Sequence, residues 1–296
     1  MKTVIGFIGL GIMGYPMARN LLRNGCNLLI NDADQSAQEK MQKAGATPAS
    51  LSEIGEKCSI IFTMLPTGRI VHDVLFASTG VASTIKPKSL VVDMSSVTPE
   101  EAIHSYTELK KLDVDFIDSP VSGGEPKAID GTLVFMVGGD QTAFNRALPY
   151  LKMMGNQVVL VGKVGSGCIA KLANQIIVNL TIAVVSEAFV FTKKAGVDPT
   201  QVYNAIRGGL AGSTVLDAKV PMMIAHNFKP GGKISINLKD IKNVMATAHN
   251  IDAPVPLTSQ LLEIMQSLKI HGHLNDDHSG IVQYFEQLSN IRLNDV

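Results

Sequence analysis

Lys171, Asn174 and Gln175 stand at i, i+3 and i+4 in an otherwise apolar stretch, a spacing that puts an ammonium and two amides on one helix face. A lysine in such surroundings either carries its charge out to solvent or has a chemical task, and the spacing alone leaves both open. The task it can serve is proton exchange. Desolvation lowers an ammonium's pKa, so that it can hand a proton to a developing alkoxide or take one from a carbinol, while amides orient the substrate. A second set is Asp118-Ser119-Pro120-Val121-Ser122-Gly123-Gly124. Ser122 offers a hydroxyl there, and Gly123 and Gly124 let backbone N–H groups converge on an anion such as a carboxylate. An ordinary Ser/Gly turn has the same composition.

A third set binds rather than reacts. Gly9-Leu10-Gly11-Ile12-Met13-Gly14 is a GxGxxG. Gly9 permits a tight turn, Gly11 lets the backbone approach a pyrophosphate, and Gly14 allows close packing of helix on strand. A helix starting there turns its N-terminal N–H groups and dipole towards phosphates. Glycine-rich turns are common, but this one sits between an expected strand and an expected helix, which the dinucleotide reading requires. Asn31 and Asp32 end the next expected strand, with Asp32 18 residues beyond Gly14, where a carboxylate can accept from both ribose hydroxyls. No Arg lies between Asn31 and Lys40 to receive a 2′-phosphate, which favours NAD and disfavours NADP. Met64-Leu65-Pro66 and Ser95-Ser96 follow later strands, whose carboxyl ends face the ligand in open sheets, so both can line the nicotinamide side.

These groups need a scaffold, and the hydrophobic pattern supplies one. Strands are expected at 4–8, 27–31, 60–64, 90–93, 115–118, 132–137 and 158–161, alternating with helical stretches. That alternation predicts an α/β N-terminal Rossmann domain with a doubly wound, mostly parallel sheet over residues 1–163. After Gly162, Gly165 and Gly167 the texture changes: 168–195 holds no Pro or Gly, roughly 28 residues or about 42 Å of helix. Further helices are expected at 199–206, 241–250 and 258–269, with no strands. Residues 164–296 therefore read as an all-α C-terminal domain entered through a long helix.

Composition narrows the function classes. Lys+Arg and Asp+Glu are both 26, so the net charge of zero lacks the footprint of a nucleic-acid binder. Cys26, Cys58 and Cys168 have no CxxC spacing and read as apolar core residues of a reducing compartment. The first residues run straight into a strand with no cleavage site, and the apolar run 169–190 carries Lys171, Asn174, Gln175, Asn179 and Glu187, costly groups at bilayer depth. A cytoplasmic location without membrane association is expected. An apolar long helix in a helical domain also suggests a homo-oligomer, dimer or tetramer.

The motifs together resemble the β-hydroxyacid dehydrogenase family. The matching pieces are residues 7–17 around the glycine loop, Asp118 to Gly124, Gly165-Ser166-Gly167 with Lys171-Leu172-Ala173-Asn174-Gln175, and Lys239-Asp240, in family order. Residues 123–133 and 206–217 are close to a subgroup whose substrate is a short 2-hydroxy-3-oxo acid. The resemblance implies an NAD-linked oxidoreductase acting on a small carboxylate-bearing aldehyde or hydroxyacid, with Lys171 as its acid/base. It further implies that Ser122, Gly123 and Gly124 bind substrate and that Lys239 reaches the cofactor–substrate cleft. Two positions depart from the wider family. Gln175 stands where Asn is frequent, which leaves open whether it or Asn174 meets the substrate, and Ala33 replaces the Arg common in NADP-preferring relatives.

His271, His273, Asp276, Asp277 and His278 look like a metal cluster, but their spacing matches no regular zinc pattern and the family implies no metal. Asp277-His278-Ser279 reads instead as a loop beside the cleft.

Overall fold

The computed structural model describes residues 3–295; Met1, Lys2 and Val296, which close the two expected domains, lie outside the described residues. The first part of the chain runs β1 (Val4–Ile8), α1 (Gly14–Arg23), β2 (Asn27–Asn31), α2 (Gln35–Lys43), β3 (Thr47–Pro48), α3 (Leu51–Lys57), β4 (Ile60–Thr63) and α4 (Gly68–Phe76). It continues with β5 (Leu90–Asp93), α5 (Pro99–Lys111), β6 (Asp115–Asp118), β7 (Val121–Ser122), α6 (Gly124–Asp130), β8 (Leu133–Gly138), α7 (Gln141–Met154) and β9 (Gly155–Gly162). Helices α8 (Ser166–Lys194), α9 (Pro199–Ile206), α10 (Thr214–Ile224), α11 (Ile234–Asn250), α12 (Pro256–Ile270) and α13 (Val282–Ser289) complete the chain. Two compact units result, Met1–Lys171 and Leu172–Val296.

In the first unit one sheet has the order β3-β2-β1-β4-β5-β6-β8-β7, with β9 paired to β8. The pairs from β3 through β6 are parallel, whereas β8 meets β6 and β7 antiparallel. The order reverses at β1, so the loop after β1 lies at the switch point where open sheets bind ligands. β4 and β5 are buried at every residue, as parallel strands covered on both faces must be. Phe7, Phe62, Phe116 and Phe135 are fully buried among them, each worth about 1.5–3 kcal/mol of transfer free energy. Ser50 with Glu53, and Thr98 with Glu101, form capping boxes that start α3 and α5 beside strand ends.

The second unit is helical, as expected, and its core gathers Ile182, Phe189, Leu238, Ile241, Leu261, Met265 and Ile281. α9 spans the expected 199–206, while α11 and α12 are longer than the pattern predicted. α11 starts at Ile234 rather than 241, because Ile234 and Leu238 continue the buried face. α10 was not expected at all: Pro221 lies inside it, while the Ser213 hydroxyl caps its start through Leu216 N at 3.0 Å. The residues of the apparent metal cluster have structural partners. Asp277, fully buried, receives Lys219 Nζ at 2.8 Å and the N–H groups of Gly231, Gly232 and Ser279. Burial by itself would push its carboxyl up, but the His278 and Lys219 charges and the Ser279 N–H hold it down at about 2. His273 Nδ1 pairs with Asp276 at 2.9 Å, and His278 Nδ1 lies 3.4 Å from Asn179 Oδ1.

Candidate active site

The glycine loop is shaped by what a side chain would strike. A Cβ on Gly9, whose φ is +97°, would lie 2.3 Å from the Met64 carbonyl, and one on Gly14 would lie 1.9 Å from the Gly9 carbonyl. A Cβ on Gly11 meets nothing within 4 Å. Two glycines are thus required for packing, and the third faces open space of the kind a pyrophosphate needs. No side chain caps α1 and no acidic residue occupies its first turn, so its N-terminal dipole is left for an anion. Asp32 is braced to this loop: Oδ2 accepts Leu10 N at 2.5 Å and Oδ1 accepts Asp34 N at 2.7 Å. The arrangement fits the pyrophosphate and ribose of a dinucleotide. Asn31 serves the fold as well, since its amide donates to the Ala49 carbonyl at 2.7 Å. A groove of about 560 Å³ runs outward from Leu10, Gly11 and Ile12 past Asp34, Arg19, Arg23 and Lys40.

The segments after β4 and β5 are joined by Asp93. Its Oδ1 accepts Thr63 Oγ1 at 2.8 Å and Ser95 N at 3.0 Å, and Ser95 Oγ accepts Leu65 N at 2.9 Å. Met64-Leu65-Pro66 and Ser95-Ser96 are therefore one assembly at the carboxyl edge of the sheet. Burial raises the Asp93 pKa, opposed by the hydrogen bonds from Ser95 and Thr63 and reinforced by the neighbouring Asp118 charge.

Beyond β6 the chain makes the short strand β7, ending at Ser122, and then Gly123 and Gly124 with φ of +132° and +67°. Both values lie in the region glycine enters without strain, and Gly123 heads α6 without a side-chain cap. Asn20 of α1 donates to Ala128 of α6 at 2.8 Å, which ties the helix behind the glycine loop to the helix behind Ser122.

Lys171 is the last residue of the first unit, one turn into α8, and is half-buried. The amides that follow belong to the second unit. Asn174 Nδ2 donates to Gln175 Oε1 at 3.1 Å, and Gln175 Nε2 donates to Asn237 Oδ1 at 3.2 Å and Asp240 Oδ2 at 2.6 Å. The other Asp240 oxygen lies 3.0 Å from Lys239 Nζ. Gln175 is 6% exposed, so the amide that departs from the family pattern is built into the helical domain and indirectly orients Lys239. Asn174 is half-buried.

Sequence reasoning assigned no role to Asp93, Asp118 or Asn237. A signal existed for the first two. Each ends a strand directly after apolar residues, Leu90-Val91-Val92 and Phe116-Ile117, and a carboxylate buried at such a strand end must have donors.

Comparison with known proteins agrees with this construction. Residues 4–162 match the NAD binding domain of 6-phosphogluconate dehydrogenase, and residues 165–285 match the domain described as NAD-binding of NADP-dependent 3-hydroxyisobutyrate dehydrogenase. The chain is 39% identical to 2-hydroxy-3-oxopropionate reductase of Escherichia coli (strain K12), covering 98% of this chain and 99% of that one. It is 32% identical to the mitochondrial 3-hydroxyisobutyrate dehydrogenase of Homo sapiens, covering 97% and 88%. Among solved structures, 3-hydroxyisobutyrate dehydrogenase of Mycobacterium tuberculosis superposes with a TM-score of 0.88 at 28% identity, covering 96% and 99%. Two domain models that together span nearly the whole chain, and relatives above 30% identity matched over nearly their whole length, show that the chain belongs to the β-hydroxyacid dehydrogenase family of oxidoreductases.

Proposed function

We propose that this dehydrogenase reduces tartronate semialdehyde (2-hydroxy-3-oxopropanoate) to glycerate with NADH, and runs the reverse reaction when products accumulate. The observation that carries the substrate choice is the full-length likeness to the Escherichia coli reductase. NADH, when bound, supplies the hydride. The glycine loop and α1 hold its phosphates, Asp32 accepts its ribose hydroxyls, and the Asp93-braced segments 64–66 and 95–96 wall its nicotinamide. Ser122, Gly123 and Gly124 grip the substrate carboxylate. Lys171 hydrogen-bonds the aldehyde oxygen and donates a proton to it as alkoxide character develops. In the oxidative direction the same nitrogen takes the carbinol proton back. Steady-state kinetics against tartronate semialdehyde, methylmalonate semialdehyde and succinic semialdehyde tests the assignment, and a higher kcat/KM for either of the latter two overturns it. Cys26, Cys58 and Cys168 form no disulfide among the described residues, which supports a reducing compartment and a cytoplasmic location.

The carboxylate anchor makes its own prediction. Two or three charge-assisted hydrogen bonds at about 1.5 kcal/mol or more each amount to a discrimination of ~10²–10³-fold. Glyceraldehyde, which keeps the hydroxyl and aldehyde but has no carboxylate, is expected to show kcat/KM lower by that factor. Gly123→Val is expected to raise KM for the acid far more than for NADH, because its φ of +132° is strained for a β-branched residue and its Cβ would meet Lys127 at 2.6 Å. Equal use of the two aldehydes removes the anchor.

Helix α8 supports a homodimer. It is long and apolar enough to cross a membrane by length and composition, and only 39% of its most apolar window is buried. Ile177, Val184 and Phe191 recur every seven residues and are 66%, 62% and 74% exposed, an unbroken stripe that a second copy of α8 can match about a twofold axis. Sedimentation should give a dimer or larger for the wild type and a monomer for Val184→Glu with Phe191→Glu. A wild-type monomer, or one that partitions into phosphatidylcholine vesicles instead, rejects this reading.

A further inference from the structure

We propose that Asp118 is the positioning residue of Lys171, fixing the first turn of α8 against the sheet so that the lysine stands at a set distance from the Ser122 loop. The inference rests on Lys171 being the acid/base.

Asp118 ends β6 and is 1% exposed. Its Oδ1 accepts Gly165 N at 2.7 Å and its Oδ2 accepts Cys168 N at 2.8 Å. Gly165 immediately precedes α8 and Cys168 is its third residue, so both are among the N–H groups that a helix start leaves without an internal partner. A carboxylate from a strand 47 and 50 residues away thus does the work of a local cap, next to the positive end of the helix dipole. Capping needs only a serine at the preceding position. A buried carboxylate is a costly substitute, and burial raises its pKa against the two N–H bonds. What it adds is a fixed tie between helix and sheet.

The space around the tie has no slack. A Cβ on Gly167 would lie 2.4 Å from the Met136 carbonyl, 2.8 Å from the Asp118 carbonyl and 2.9 Å from Asp118 Oδ2. One on Gly138 of β8 would lie 2.5 Å from Asp118 Oδ1 and 2.7 Å from Gly167 N. Two glycines, one on each partner, let the first turn sit directly on the ends of β6 and β8. Lys171 follows Cys168 by three residues, nearly one turn and about 4.5 Å of rise, with no flexible link between. On the other side, Asp118 is four residues before Ser122, and Ser119 N continues the ladder to the Asp93 carbonyl. One residue therefore sets the base of the lysine and the root of the substrate turn.

A misplacement of about 1 Å at a reacting group costs on the order of 10²-fold in rate. Asp118→Asn keeps the shape but offers an N–H to one of the two donors, and Gly167→Ala keeps every charge while forcing the turn off the sheet. Both variants are expected to lose about 10–100-fold in kcat, with substrate KM and NADH Kd within about threefold of wild type. With 4-deuterated NADH the primary isotope effect on kcat should become fully expressed, since the chemical step is the one slowed. A merely structural role would instead raise KM and Kd along with the fall in kcat, and that pattern overturns the proposal. Undiminished kcat in either variant also overturns it. A Lys171→Ala control run alongside separates the cases: if it is inactive while Asp118→Asn is not, only the positioning role is lost. In the wild-type enzyme the Gly165 and Cys168 amides are expected to exchange as slowly as the sheet core. Fast exchange there would dispose of the clamp even if neither variant folds.

Discussion

Lys171→Ala is expected to lower kcat for semialdehyde reduction by at least about 10³-fold while NADH binds as before. Hydride addition turns a neutral carbonyl oxygen into an alkoxide, so a cationic donor placed on that oxygen stabilises the transition state more than the ground state. General acid catalysis alone is typically worth about 10²–10⁴-fold, roughly 3–5 kcal/mol, and loss of the charge comes on top of loss of the proton. Lys171→Arg should recover little, because guanidinium keeps the charge but holds its proton too tightly and is planar where the ammonium is compact. NADH affinity is the internal control. The groups proposed to hold phosphates and ribose lie in the loop between β1 and α1, at the start of α1 and just after β2, far along the chain from Lys171's turn of α8. Stopped-flow measurement of the single-turnover rate, with NADH fluorescence titration, reads both quantities. A variant that binds NADH and keeps its rate would shift the proton donor elsewhere, with Lys239 first in line.

The parallel half of the sheet was legible because burial on both faces forces continuous apolar runs, such as Ile60-Ile61-Phe62, with turn residues between them. Four strands were placed to the residue on that signal. The sheet's far edge was less legible. β7 has two residues, and β9 is eight residues long with an exposed alternate face, so neither carries a strong period. Pro149 and Pro221 lie inside helices whose burial pattern overrides the local preference. The candidate site divides along the same line. Glycines and Lys171 could be named because their chemistry is local to a short motif. The ties made by Asp93, Asp118 and Gln175 span between 30 and 65 residues, and no local pattern reports a partner that far along the chain. Gln175 is the instructive case: its i+4 spacing from Lys171 is local and legible, whereas its bonds to Asn237 and Asp240, 62 and 65 residues along the chain, are not.

Cofactor choice should turn on Asp32, with wild-type kcat/KM about 10²-fold higher for NADH than for NADPH. A 2′-phosphate placed where the ribose hydroxyl meets Asp32 sets a nearly divalent anion beside a carboxylate. At an effective dielectric of about 20 each pair of unit charges a few ångströms apart is repelled by up to ~4 kcal/mol, of which ~2.7 kcal/mol suffices for the ratio. Asp34 adds a second negative charge nearby, already engaged in capping α2 through Ser36 N at 2.9 Å. Cations are present but set back: Arg19, Arg23 and Lys40 line the groove that opens from Gly11 and Ile12 past Asp34. Asp32→Asn should therefore do two separable things. Neutralising the side chain removes the repulsion, and the long cations of the groove can then reach a 2′-phosphate, so the NADH-to-NADPH ratio should fall to within about tenfold. Exchanging one carboxylate oxygen for an amide nitrogen also loses the bond to either Leu10 N or Asp34 N, which slackens the glycine loop and weakens NADH itself by about 1–2 kcal/mol. An unchanged ratio in Asp32→Asn would leave Asp32 as a brace of the loop alone, and equal use of both cofactors by the wild type would mean that the groove's cations already outweigh it.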